Sequence, residues 1–484
     1  MSQADSRGNA PVRRGTMVIG ATVRTLGAWP SGWRYPGAHR DPAGDPRVLR
    51  SLALTAEAAG LHFLYFGDWL ATGPEFEQTD PYLLARIEPL AAISYLSAVT
   101  DRIGLIATVS SAHSEPYSTA RASASIDVLS HGRAGLSISS GAEPRSAANF
   151  GWTSVHPDED RIEAAGEFIE ILRGLWDSWD DDAFIADAAT GRLIGHGAVR
   201  PLGYVGRHFS SAGPLNVVRP PQGHPIVSVV GNAPGARALA ARQADISFLA
   251  PNSLAEAIDS YRATKEQARD LGRDPDQFLL VTPILPIVAA TREEAWRVYD
   301  DLVDLVPVET AAGVDAGVAL PSNRTIRRLS SLLGVSLNGV IIDEAVPLTT
   351  AARFSPLGAG VVALVTSRSG RTVGGYRPVT YRHLLVAHAV SAPVLVGSGT
   401  DVADYLEAWF LASATDGFTI LSPFLGGQFE AFTALVIPEL KRRGVFPENY
   451  AGATLREILG LPRPANTLGL ATFGDSRSRV LRDR

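Results

Sequence analysis

The chain is 484 residues long, 45% hydrophobic and 19% charged, with a formal charge of −6 spread along it. That balance is ordinary for a globular protein, and the lack of a basic stripe argues against nucleic acid as a partner. Cysteine is absent, which excludes disulfides, thiolate metal sites and cysteine nucleophiles together.

The opening "MSQADSRGNAPVRRG" (1–15) is polar, has no apolar stretch, and reads as a disordered tail rather than a secretion signal. Strands are then predicted at 16–23, 62–67, 103–109 and 134–139, and further ones at 226–230, 245–249, 279–288 and 417–421. Most are near-continuous apolar runs, the pattern of parallel strands covered on both faces. Helical patterns lie between them, among them 47–59, 116–129, 161–176 and 428–443. Eight strands alternating with helices predict an α/β fold, a (β/α)8 TIM barrel, as a single domain over 16–444. Two stretches fall outside the repeat, 180–225 and 306–380, and are expected to be insertions beside the barrel mouth. Residues 445–484 read as a C-terminal arm. The longest apolar run, "FLLVTPILPIVAA", is too short for a bilayer and broken by prolines, so no membrane partner and a cytoplasmic location are expected.

The polar residues at the strand ends carry the functional reading. Strand two runs into Asp68 and Trp69, strand three into Thr108 and Ser110, strand four into Ser139 and Ser140, strand five into Gly231 and Asn232. In a barrel these positions converge on the carboxyl-terminal face, where such enzymes build their sites. Plainer roles exist for each. Asp68 suits a helix N-cap, and Thr108, Ser110 and Ser111 suit loop capping. His113, alone in its loop, suits packing or solvation as well as proton transfer. The acidic run "DSWDDDAF" reads as the start of a solvated insertion, and no His-x-x-x-His pair supports a metal site. "GAGVVA" (358–363) and "GSGTDV" (397–402) lack the strand context or the third glycine of a dinucleotide motif.

Several stretches together carry a family resemblance: "GAWPSGWRYPG" (27–37), the block 87–135 through "DRIGLIATVSSAHSEPY", and "ANFGW" (148–152). "EFIEILRGLWDSWDDDAF" (167–184), "GPLNVVRPPQGHPIV" (213–227) and "VIPELKRRGVF…YAGATLREILGL" (436–461) continue it. The chain resembles the bacterial-luciferase-like, flavin-dependent monooxygenases, in the branch of nitrilotriacetate monooxygenase component A, dibenzothiophene-sulfone monooxygenase and pristinamycin IIA synthase. The resemblance implies an FMNH2-dependent monooxygenase. Reduced FMN would be supplied by a separate NAD(P)H:flavin reductase and O2 would be the cosubstrate. A flavin hydroperoxide would oxygenate a small organic molecule.

By matching motif, the resemblance places Asp68 and Thr108 beside the flavin ring. It makes Gly231, Asn232 and Ala233 the phosphate turn, a role that orphan amides at a helix start can fill. His113 stands where relatives carry an aromatic residue and is the catalytic candidate, facing substrate. This chain departs from the family's pattern in three places. Ala233 replaces a serine in the turn. Asp158 and Ile162 replace a histidine and tyrosine, with His156 two residues earlier as the nearest histidine. "LSISS" replaces a Trp-Asn-x-x-Thr-Ser motif. A deazaflavin-dependent oxidoreductase and a flavin-binding homologue without catalysis are the alternative readings. The resemblance further implies a homodimer or homotetramer, built on helices at 88–100 and 116–129.

Overall fold

Parallel pairing of buried apolar strands organises the molecule, which was analysed as a computed structural model. The described residues are 15–41, 45–74, 76–231, 233–251, 253–309, 322–390 and 393–470. The strands are β1 Val18–Thr22, β2 Phe63–Phe66, β3 Gly104–Ser110, β4 Ala134–Ser139, β5 Phe184–Asp187 and β6 Arg192–Ile194. They continue with β7 Tyr204–Val205, β8 Ser210–Ser211, β9 Ile226–Val229, β10 Ile246–Phe248, β11 Leu279–Ala289, β12 Val394–Ser398 and β13 Gly417–Leu421. β1, β2, β3, β4, β9, β10, β11 and β13 pair in parallel, and the β10–β11 and β13–β1 pairings close them into a ring. This is a TIM barrel, built from all eight strands that the apolar runs predict. Gly417 is needed for that closure, because a Cβ there would lie 1.9 Å from the Val18 carbonyl oxygen.

One strand lies outside the ring. β11 is 11 residues long; its first half serves the barrel, and Leu285 to Ala289 pair with β12. Strand β12 has no forecast in the sequence, because its "VLVGS" runs straight into a Gly-Ser-Gly segment that reads as loop. The second half of β11 also anchors the helices of the 306–380 region. Leu329, Leu333, Val361 and Val365 share a buried cluster with Leu285, Ile287, Tyr299 and Leu302. Residues 310–321 of that region, 1–14 of the tail and 471–484 of the arm lie outside the described residues. In 180–225 the chain forms two small antiparallel hairpins, β5 with β6 and β7 with β8.

Two helix boundaries differ from the forecast for local reasons. The helix expected from 161 starts at Asp158, because Asp158, Glu159 and Asp160 fill its first turn and suit the positive end of the dipole. The pattern at 428–443 is two helices, Gln428–Leu435 and Ile437–Arg442, since Pro438 cannot continue the first. No described helix is long and apolar enough to cross a membrane.

Ion pairs fasten the segment after 445 under the barrel. Arg456 grips the buried Asp245 with both terminal nitrogens, at 3.2 and 3.0 Å, and its Nε donates to the His224 carbonyl at 2.7 Å. The acidic run after the helix Asp158–Trp176 joins in. Asp177 accepts from Arg219, His224 and Thr467, while Asp181 pairs with Arg219 and Arg463. Asp177 is therefore a buried structural anchor, while the run from Asp181 onward opens an exposed insertion as expected. Arg456→Met should strand Asp245 without its cation and cost about 3–5 kcal/mol, measured by denaturant unfolding. A loss below about 1 kcal/mol would show that the pair contributes little.

Candidate active site

Each barrel strand delivers a residue to one rim. Thr22, Phe66, Thr108, Ser139, Val230, Phe248, Pro283 and Leu421 surround a cavity of about 590 Å³ at the carboxyl-terminal mouth. A second cavity, about 1200 Å³, lies to one side between the helices Asp158–Trp176 and Pro234–Gln243. The two adjoin, because Asp68, Trp69, Ser139 and Val230 line both.

Asp68 sits at that junction. Its Oδ1 accepts from the Trp69 amide at 2.8 Å, and no helix begins there, so it is not an N-cap. Burial pushes its carboxyl above the usual range, against the opposing pull of the Trp69 amide and Arg86. Thr108 lines the mouth cavity, and its Oγ1 donates to Tyr65 Oη at 3.0 Å. The Tyr65 ring in turn packs on Phe248, centroids 5.0 Å apart. The neighbouring serines divide. Ser111 caps the Ser139 carbonyl at 3.1 Å, whereas Ser110 faces the larger cavity with its buried Oγ unpartnered.

His113 lines the larger cavity with Ser110. Its ring lies parallel to Phe150, 4.3 Å away and tilted by 4°, and Trp152 adds a second wall at 4.8 Å. Both ring nitrogens are buried without a hydrogen-bond partner among the described residues. Burial lowers the pKa of the imidazole, so it is neutral at pH 7. His156 stands one ring further out. It meets Trp152 edge-on at 4.8 Å, and it lines neither cavity.

The turn expected to hold phosphate opens the helix Pro234–Gln243 on the wall of the larger cavity. Ala233 is its N-cap and supplies no side-chain bond. Pro234 has no N–H, so the orphan donors of the first turn are the Gly235 and Ala236 amides. Gly231, at φ 142°, brings the chain so close to Ala236 that a Cβ would lie 2.8 Å from that methyl. Asn232 lies outside the described residues. Ile162 packs over Gly235, and a Cβ built there would come within 3.3 Å of it.

Arg161 is a cavity residue that the sequence reading passes over. Its buried guanidinium reaches Ser140 Oγ at 3.2 Å and the His156 carbonyl at 2.9 Å, and pairs with Asp158. The signal was present in "HPDEDRI", one position before Ile162. Nearby, Asp160, Glu163 and His208 bring ligand-type atoms together. Arg207 occupies that cluster, contacting Glu163 at 2.6 Å and Asp160 at 2.9 Å.

Residues 30–331 match the family model described as luciferase-like monooxygenase, and the chain belongs to this family of oxidoreductase enzymes. It is 35% identical to N-acetyl-S-(2-succino)cysteine monooxygenase of Bacillus subtilis (strain 168), over 93% of this chain and 97% of that one. With nitrilotriacetate monooxygenase component A of Aminobacter aminovorans it shares 33% identity, over 93% and 98%. Among solved structures, riboflavin lyase with modified FMN and substrate riboflavin superposes with a TM-score of 0.72 at 27% identity. That match covers 92% of this chain and 96% of the other.

Gly231→Ala places a methyl against Ala236 in a backbone conformation that disfavours L residues, and so displaces the helix start. FMN binding, followed by quenching of flavin fluorescence, should weaken about tenfold. Unchanged affinity would remove this turn from the site.

Proposed function

We propose that this protein is the oxygenating component of a two-component monooxygenase. It takes reduced FMN from a separate NAD(P)H-dependent reductase and uses O2 to oxygenate a small organic substrate. The observation that carries this reading is the pair of adjoining cavities, one at the barrel mouth and one ending on free helix amides. A flat ring with a tail has that shape, and the helix amides supply donors for an anion on a wall that also carries Glu159, Glu163 and Glu170. The name of the Aminobacter relative, a component A, supports the division of labour, and the riboflavin lyase complex supports FMN. Bound reduced flavin supplies the activation of oxygen.

The chain's own residues then have distinct tasks. Thr108 and Asp68 hold the edge of the ring. The Gly235 and Ala236 amides face the phosphate, and Arg161, already paired with Asp158, stands on the same cavity wall. Trp69, Leu83 and Phe248 form an apolar wall that keeps water from the reacting atoms. His113, neutral and without a hydrogen-bond partner, accepts a proton from substrate or aligns the oxygen being transferred. We further propose a homodimer or homotetramer in solution.

Photoreduced FMN, oxygen-18 gas and a panel of small metabolites test the reading through labelled product. His113→Phe should keep FMN affinity within about twofold yet lower product yield by roughly 10²-fold or more. Thr108→Val should weaken FMN binding instead. Wild-type protein that yields no labelled product with any of the panel, but turns over with a reduced deazaflavin, would overturn the assignment.

A further inference from the structure

The barrel-mouth cavity carries an unbalanced charge. Among the described residues its only charged lining residues are Arg24, Arg86 and Asp68. Arg86 reaches the Tyr82 carbonyl at 3.0 Å and the Gly67 carbonyl at 3.5 Å, but its buried Nε has no partner among the described residues. Arg24 lies over the Tyr82 ring, 3.9 Å from its centroid. Neither guanidinium forms an ion pair with a carboxylate among the described residues. The one carboxylate at hand, Asp68, lies near Arg86 without forming an ion pair with it, and a single carboxylate leaves one of the two cations unmatched. Glu88, which also faces Asp68, is committed to the Leu90 and Ala91 amides at 3.0 and 2.6 Å.

Two guanidinium groups sharing one partly buried space repel each other, and a buried charge without a counter-charge is costly. Leu83, Ile87, Phe248 and Pro283 give the cavity an apolar wall, beside the hydroxyl residues Thr22, Thr108 and Thr419. We propose that Arg24 and Arg86 form an anion-recognition pair that selects a small organic carboxylate with an apolar body as the substrate. The proposal rests on the flavin reading above, since the mouth of the barrel is where substrate would meet the ring. Planar, fork-shaped guanidinium donors match carboxylate oxygens, and the Arg86 Nε is a buried donor on a cavity-lining residue with no partner among the described residues. The apolar wall takes the rest of the molecule.

The test is calorimetric titration of the purified protein, with and without oxidised FMN, using phenylsuccinate and its uncharged dimethyl ester. The acid should bind at least about tenfold tighter than the ester. Arg86→Gln and Arg24→Gln should each weaken the acid and shrink that preference. Asp68→Asn, which removes the opposing charge, should tighten the acid relative to the ester in protein without FMN. Opposite signs from neighbouring substitutions cannot come from a general loss of folding. Equal binding of acid and ester, or Arg86→Gln and Asp68→Asn moving in the same direction, would overturn the anion site. Failure of the flavin reading shows separately, as wild-type protein that quenches no FMN fluorescence.

Discussion

The site depends on closure of the parallel ring between β10 and β11. A closed parallel barrel leaves no edge, so backbone polar groups are satisfied around the circumference and the strand interiors can be wholly apolar. β3 shows the consequence, with every one of its residues from Gly104 to Ser110 buried. Polar side chains have room only where the strands end, and parallel pairing puts all eight ends on one rim. Thr22, Asp68, Thr108 and Ser139 meet there because of register.

The two ends of the barrel are held differently. Beneath it, Arg456, Asp245, Arg219 and Asp177 form buried, fully partnered charge pairs that lock the segment after 445 to β9 and β10. At the rim the opposite holds. Ser110 Oγ, both nitrogens of His113 and Nε of Arg86 are buried without partners among the described residues. Unsatisfied polar groups cost stability, and those at the rim are left for a ligand there.

Much of the fold was legible because apolar runs of five to ten residues bounded by turns are a direct record of two-sided burial. All eight barrel strands were found this way. β12 was not, because its short run is half exposed and ends in glycine and serine, and its pairing partner is the overlong tail of β11. The site was legible at the strand ends and weaker on the helices. Thr108, Asp68, Gly231 and Ala233 line the cavities, as does His113. His156 stops one aromatic ring short, since Trp152 stands between it and His113. Arg161 went unread because a charged residue in the first turns of a helix usually faces water; its burial comes from the tertiary approach of Ser140.

The central claim is that the two cavities hold one molecule, a flat ring at the barrel mouth and its anionic tail at the start of the helix Pro234–Gln243. Comparing the affinities of FMN and riboflavin for the same protein tests it most directly, because the two ligands differ only in the phosphate. The account predicts FMN binding at least about tenfold tighter, with the advantage declining as salt is raised. Equal affinities for the two flavins would contradict it.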